Sequence, residues 1–459
     1  MIEPERTKHL NKKPESSGRY VLYWMQQSQR EEYNHALEYA IQQANRLKLP
    51  LLVVFSLVTD YPEANLRHFT FMLEGLIETR SALLKRGIKL IIRKGTPDSV
   101  VLPLAKMASL VICDCGYLRH QRQWRSTLAA HATCLVTQVE SDVIVPVDVA
   151  SNKTEYAART IRPKINRLAP KYINSFRRTP VKHNWTDSAI KGESIEELKQ
   201  QISSHSFYQH VEAVSHFFKG GTGEAKKKFE NFLEFSLAKY NDNSNQPQTN
   251  DISQMSPYLH FGQISPLYLA TKILKTGLHL AEPAEAFLEQ LIVRRELAIN
   301  FVYFTPDYDK FSSLPDWAKV SLNIHRADRR EYIYNTQMLE DAATHDPYWN
   351  AAMREMTSTG FMHNYMRMYW GKKILEWSTS PQQAYETTLY LNNKYFLDGR
   401  DANSYTGVAW IFGKHDRPWK ERSIFGKVRY MNSAGLERKC DIKAYVEKVK
   451  QLCKSDPDH

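Results

Sequence analysis

The sequence predicts a chain of two kinds of structure, a doubly wound parallel α/β unit followed by an all-helical unit. Three observations carry this. Short apolar runs alternate with amphipathic stretches through the N-terminal part. After Gly220-Gly221-Thr222-Gly223 the periodicity turns helical almost to the end. A length of 459 residues also exceeds what one hydrophobic core organises.

Taken in order, residues 1–18 are polar and charged and read as a flexible N-terminal tail. Residues 19–24 read as a strand, 30–47 as a helix, and 51–57 as a buried strand entered from Pro50. A helix over 65–86 follows, then a strand over 89–93 closed by Gly95. Thr96-Pro97-Asp98 opens another helix, and 109–114 is the next strand. Apolar strands separated by amphipathic helices imply a parallel sheet covered on both faces, placed at residues 19–153. No GxGxxG is present, so the dinucleotide fingerprint is missing; a small-ligand site at the strand ends follows from fold logic alone. Residues 154–223, with Pro163, Pro170 and Pro180, read as a connector carrying short helices. The helical unit spans 224–459, with helices at 229–240, 266–276, 283–301, 337–340, 361–377 and 381–391. Pro266, Pro283 and Pro381 sit where helix starts tolerate proline.

Hydrophobic residues at 42% and aromatics at 12% suffice for packed cores and exclude a disordered chain. Sixty-two basic against 50 acidic residues give +12, which modestly favours a polyanionic partner. Five scattered cysteines point to a reducing cytoplasm rather than a disulfide framework. Cys113 and Cys115 share a strand with no second pair to complete a metal site, so no metal is expected. Without an 18-residue apolar run or a leader-like start, the expectation is a soluble cytoplasmic protein with no membrane partner, by default a monomer.

The chemistry concentrates between residues 349 and 430. Trp349, Trp370, Trp377, Trp410 and Trp419 fall there among Arg367, Asn392, Asp398, Arg400, Asp401 and Arg429. Trp370 and Trp377 are seven apart, on one helical stripe roughly 10 Å apart in rise. Two such tryptophans alone are ordinary core. Arg367 in the same Met- and Tyr-rich helix needs a charged partner if buried, and Asp398 or Asp401 in DGRDAN can supply it. Gly399 suggests a tight loop where a ligand approaches the backbone, although a surface turn has the same composition. The segment DISQMSPYLH, 251–260, offers hydroxyls and amides suited to a phosphate; a capped loop looks alike. Lys414, Arg417, Lys420, Arg422, Lys427 and Arg429 interleave with Trp419, Phe425 and Tyr430, as on a nucleic-acid surface.

Together these segments resemble the photolyase/cryptochrome family, specifically the class II cyclobutane pyrimidine dimer photolyases. The resemblance runs from about Tyr20 to Lys450. It is carried by YWMQQSQR (23–30), MSPYLHFGQIS (255–265), FLEQLIVRREL (287–297), MRMYWGKKILEW (366–377), YLNNKYFLDGRD (390–401) and KHDRPWKER with FGKVRYMN (414–432). It implies a Rossmann-like N-terminal domain and a helical C-terminal domain holding a U-shaped FAD, reduced and anionic when active. It also allows an antenna chromophore of unspecified identity in the N-terminal domain. The implied activity is that of a carbon–carbon lyase: light-driven electron transfer to a cyclobutane dimer in UV-damaged DNA, double- or single-stranded, at the nucleoid.

By resemblance, Tyr240, Ile252, Ser253, Met255 and Ser256 line the diphosphate end of the flavin. Arg367 and Asp398 form an ion pair beside the isoalloxazine, Asn392 faces flavin N5, and Asp401 lies in the same loop. Trp349, Trp370 and Trp377, with Tyr334, form an electron relay to the surface. Arg417, Trp419 and Arg429 fill the gap left by a flipped lesion, Trp410 packs against the dimer, and Lys414 contacts phosphate. The family commonly reaches the lesion with a glutamate. Here that position reads as Gln290 followed by Arg294, or, shifted by one, as Glu289. A cryptochrome-like photoreceptor without repair activity, and a plain nucleic-acid-binding protein, are the competing readings. The first keeps the flavin and tryptophans, and expects a signalling tail that the sequence shows no sign of; the second leaves Arg367 and Asp398 unexplained.

Overall fold

The computed structural model describes residues 2–174, 176–204, 211–277 and 281–454. Its N-terminal part is a six-stranded sheet of β1 (Thr7–His9), β2 (Tyr20–Met25), β3 (Leu51–Leu57), β4 (Lys89–Lys94), β5 (Ala108–Asp114) and β6 (Leu135–Val139). The order is β1-β6-β5-β2-β3-β4, with every pair parallel except β1 on β6. The predicted class holds: α/β first, then helices. Alternation along the strands explains the two covered faces. Val21, Tyr23, Leu51, Val53 and Phe55 join one apolar cluster, while Leu22, Trp24, Leu52 and Val54 join another on the opposite face. The first cluster continues into Tyr258, Leu269, Phe287 and Leu297, so the sheet and the helical part share a core.

The tail expected at residues 1–18 is instead part of the sheet. Thr7 pairs with Val139, and Arg6 is buried with its guanidinium donating to the carbonyls of Val143 (3.1 Å) and Ile144 (2.7 Å). An edge strand of three charged or polar residues is held by backbone pairing, so hydrophobic patterning misses it. In the connector, Ala158–Tyr172 is a full helix despite Pro163 and Pro170, because Ile161, Ile165 and Ala169 bury one stripe against the core. The strand β6 and the helix Arg119–His131 went unpredicted. The helix predicted from residue 30 starts at His35, where Asn34 caps it by accepting the Leu37 N–H at 3.0 Å.

Strand order reverses between β2 and β5, where doubly wound sheets usually bind ligands. Here the protein fills that crevice itself. Asp114, fully buried at the end of β5, accepts N–H bonds from Gln26 (2.9 Å), Gln27 (3.1 Å) and Ser28 (2.7 Å). The amides that would cradle a phosphate are taken, in keeping with the missing glycine fingerprint.

The helix Arg295–Phe304 is tied to the α/β part through Glu296, whose carboxylate accepts the N–H groups of Ile144 and Val145. Burial pushes the Glu296 carboxyl up to about 8 and that of Glu140 up to about 7. A folded value above the ordinary 4.5 means the folded state binds the proton more tightly. That contribution is fully present below about 4.5 and is lost as pH rises through about 8. Glu296→Gln keeps the acceptor and removes one titration, so it is expected to gain stability relative to wild type between pH 5 and pH 8. Urea unfolding at both pH values checks this; a difference independent of pH contradicts it.

Candidate active site

The helix Asn364–Trp377 sets the first wall of the site. His363 caps it, its Nδ1 accepting the Tyr365 N–H at 3.2 Å. One turn in, Arg367 donates from Nη1 to Asp398 Oδ1 at 3.0 Å and from Nε to the Met362 carbonyl at 3.0 Å, and its guanidinium lies 3.9 Å from the Phe396 ring centre. Asp398 is therefore the partner, and Asp401 does other work. Asp401 caps the helix Ala402–Ile411 through the Asn403 N–H (3.0 Å) and lies 3.5 Å from His260 Nδ1. Burial opposes ionisation of Asp401, but His260 and the Asn403 amide hold its carboxyl well below the usual range.

Gly399 has a different reason from the one expected. A Cβ there would come within 2.8 Å of the Asn392 carbonyl oxygen and 2.9 Å of that of Phe396. What approaches Gly399 is the end of the protein's own helix Pro381–Tyr395, and no ligand is needed to account for it. In that helix Asn392 is buried, and its amide nitrogen donates to Asn393 Oδ1 (3.1 Å) and to Ser404 Oγ. The carbonyl oxygen is then the polar atom left to the cavity.

These side chains meet in one cavity of about 560 Å³, within the range of ligand pockets. Tyr240, Ile252, Ser253, Met255, Ser256, Gln290, Arg367, Asn392, Asp398, Asp401, Trp370 and Trp410 all line it. Gln290 and Arg294 line the cavity, whereas Glu289 pairs with Arg162 at 2.7 Å and with Arg294 at 3.3 Å. Trp349, Trp377 and Tyr334 do not line the cavity but lead away from it. The Trp349 indole N–H donates to the Trp370 carbonyl at 3.0 Å, Trp349 meets Trp377 at 5.6 Å between centroids, and Trp377 meets Tyr334 at 5.3 Å. Trp349 thus bridges the two tryptophans of the single stripe.

On the basic side, Trp419 is exposed with the guanidinium groups of Arg417 and Arg429 each 5.3 Å from its ring centre. Arg417, Lys420, Arg422 and Lys427 are exposed. Lys414 contradicts its expectation: its ammonium turns inward, donating to the Ser313 carbonyl at 3.2 Å and lying 4.5 Å from the Phe301 ring centre. Burial lowers its pKa.

Sequence reading missed a second cavity of about 720 Å³, which shares Ile252, Ser253, Gln254 and Phe361 with the first and adds Lys228, His363 and Lys448. Burial lowers both lysine pKa values, and His363 Nε2 is buried without a partner. These residues come from distant helices with no local signature. Among the described residues no cluster of three or more His, Cys, Asp or Glu could hold a metal, and no helix is long and apolar enough to cross a membrane.

The residues fit a large, partly anionic, partly aromatic cofactor. The cavity offers a guanidinium–carboxylate pair, a free amide oxygen, a buried unpartnered donor at Trp370 Nε1 and a buried unpartnered acceptor at His415 Nε2, whose Nδ1–H is given to the Tyr156 carbonyl. Such orphaned groups are rare unless a partner completes them.

Comparison with known proteins agrees. Residues 21–183 match the family model described as DNA photolyase. The chain is 49% identical to the deoxyribodipyrimidine photo-lyase of Methanothermobacter thermautotrophicus, over 98% of this chain and 99% of that protein. It is 38% identical to the deoxyribodipyrimidine photo-lyase of Arabidopsis thaliana, over 94% of this chain and 89% of that one. Among solved structures, a bacterial class III photolyase from Agrobacterium tumefaciens superposes with a TM-score of 0.73 at 17% identity, covering 96% and 91% of the two chains; at that identity the likeness concerns the fold.

Proposed function

The chain belongs to the DNA photolyase family, and on that premise we propose that it is a class II enzyme repairing cyclobutane pyrimidine dimers in UV-damaged DNA, driven by light through FAD. The observation that carries this is one cavity lined by the Arg367–Asp398 pair, Asn392, Trp370 and Trp410. Trp349, Trp377 and Tyr334 lead away from Trp370, and the Arg417–Trp419–Arg429 cluster adds a basic aromatic surface. The six motifs across both parts of the chain support class II.

Bound FAD supplies the light absorption and the single electron that opens the dimer. The protein holds and screens. Arg367 would place positive charge beside the isoalloxazine and so favour a reduced, anionic ring, while Asp398 fixes the guanidinium. The Asn392 carbonyl oxygen accepts a hydrogen bond at N5. Tyr240, Ile252, Ser253, Met255 and Ser256 hold the diphosphate end, with Lys228 and Lys448 in the adjoining cavity adding positive charge. Asp401 keeps the lining loop in register from the cap of its helix. Gln290 donates a hydrogen bond to the lesion but cannot donate a proton as a carboxylic acid does. Trp410 packs against the dimer. Trp370, Trp349, Trp377 and Tyr334 carry electrons from the surface to restore the reduced resting state.

An antenna chromophore fits best at the ends of β2 and β3. A cavity of about 120 Å³ there is lined by Trp24, Phe55, Tyr61, Trp124 and Arg400. Arg400 is buried and, among the described residues, forms no ion pair, which suits an anionic ring system. The volume is below that of most ligand pockets, so the aromatic lining must shift for a chromophore to enter.

The Arg417–Trp419–Arg429 wall, with Arg417 and Trp419 exposed and Arg429 half-buried, favours repair over a photoreceptor role. Arg429→Ala is expected to weaken binding to dimer-containing duplex more than to the same lesion in single-stranded DNA, because a gap-filling side chain matters only where an opposing strand remains. Equal losses on both substrates, with the salt slope falling by about one contact, would place Arg429 on phosphate alone. The cofactor is tested by the absorption spectrum of the purified protein and of the small molecules it releases on denaturation. A flavin released as the dinucleotide supports the assignment; a colourless protein that fails to take up added FAD contradicts it.

A further inference from the structure

The aromatic file does not end at Trp377. Tyr334 meets that indole at 5.3 Å between centroids, and His345 also meets it at 5.3 Å. The Tyr334 hydroxyl lies 2.7 Å from His345 Nδ1, and the same oxygen accepts the backbone N–H of His345 at 3.0 Å. With one N–H already directed at its lone pair, the phenol is placed to donate its hydrogen to Nδ1. That arrangement assigns the remaining imidazole proton to Nε2. Tyr332 stacks on the imidazole at 3.7 Å and 19°, with 39% of its surface exposed. His345 is exposed as well, so its ring connects the phenol to solvent. The Lys373 ammonium lies 5.6 Å from the Trp377 ring centre and is paired with Glu376 at 2.7 Å.

We propose that His345 is the proton acceptor for Tyr334 when Tyr334 supplies an electron to Trp377, a step that rests on the relay reading above. The oxidant is the Trp377 radical cation, left after light-driven electron loss toward an oxidised flavin. One electron passes from Tyr334 to Trp377 and restores the neutral indole. The O–H bond of Tyr334 breaks, and its proton goes to His345 Nδ1. The products are a neutral tyrosyl radical and an imidazolium, so the single positive charge moves from the indole to the imidazole, from which solvent removes it through Nε2. Without an acceptor the phenol would have to lose its electron while keeping an acidic proton, which is far less favourable. Once the proton has left, charge recombination requires its return. The relay thereby holds its separated state long enough for an external thiol to react.

The test is flash photolysis of the flavin-loaded protein in H2O and D2O, following tryptophan and tyrosyl radical absorption. In wild type the tyrosyl radical should rise as the tryptophan radical decays, more slowly in D2O. In His345→Ala the tryptophan radical should form as in wild type, while the tyrosyl radical rises about a hundredfold more slowly, the lower end of what a positioned base contributes. Imidazole added to the buffer should restore part of the rate, because the site is exposed. A wild-type rise in His345→Ala, or no isotope effect in wild type, overturns the proposal. No tryptophan radical in wild type, or unchanged radicals in Trp377→Phe, would overturn the relay reading itself and the proposal with it. A measurement that does not use the flavin stands beside these. In the dark, the ¹⁵N resonance of His345 Nδ1 should show a hydrogen-bonded acceptor that loses its partner in Tyr334→Phe; an unchanged resonance counts against the proposal.

Discussion

Arg367→Met is expected to yield a folded protein that no longer retains flavin. The Arg367 side chain is 20% exposed and that of Asp398 10%, so the pair is largely shielded from water. Removing one member of a buried pair leaves the other charge uncompensated, at a cost of roughly 3–5 kcal/mol. Methionine preserves most of the packing over Phe396 and Phe361, so the loss falls on charge rather than on volume. Directed at the cofactor, even the lower figure weakens binding by about two orders of magnitude. The double variant Arg367→Met with Asp398→Asn should recover part of the thermal stability, since no lone charge is left, but should not recover flavin. The flavin-to-protein ratio after gel filtration, together with the melting temperature, measures both effects. Full flavin occupancy in Arg367→Met would remove this pair from the cofactor grip.

Trp377→Phe is expected to retain flavin and to abolish its photoreduction by an external thiol. Among the described residues Trp377 is the ring that joins Trp349 to Tyr334, so its loss breaks the file at one point. Phenylalanine keeps an aromatic ring in the core, and the cost stays below the about 3–5 kcal/mol of a Trp→Ala change. It is much harder to oxidise than an indole and does not relay the electron. Protein whose flavin is first reduced chemically should still repair, because the relay supplies the resting redox state and not the repair electron itself. Photoreduction at the wild-type rate would remove Trp377 from the path.

The sequence carried some of this architecture and concealed the rest for physical reasons. Strands β2, β3, β4 and β5 are apolar runs between turns and were readable within a residue or so. Strand β1 was not, since Thr7, Lys8 and His9 are held by backbone pairing, to which composition is blind. Pro163 and Pro170 argued against the helix Ala158–Tyr172, and tertiary burial of its isoleucines outweighed them. In the site, the resemblance collected part of the cavity lining, including Arg367 with Asp398. It did not reveal that Lys414 is committed to Ser313 and Phe301, more than a hundred positions away, nor that Gly399 serves the close pass of a neighbouring helix end. Nor did it reveal that Glu289 is paired with Arg162, which reaches across from another helix. Lys228 and Lys448 belong to the same class: their neighbours are set by packing of distant segments, and no local pattern announces them.

The central claim is tested most directly by mixing the purified, flavin-reduced protein with DNA carrying a cyclobutane pyrimidine dimer and counting intact dimers before and after blue light. The account predicts that dimers disappear only in the light, with both pyrimidines of each dimer recovered unmodified and the flavin still reduced at the end. Dimers that persist under illumination, with flavin bound and reduced and the DNA bound, would contradict it.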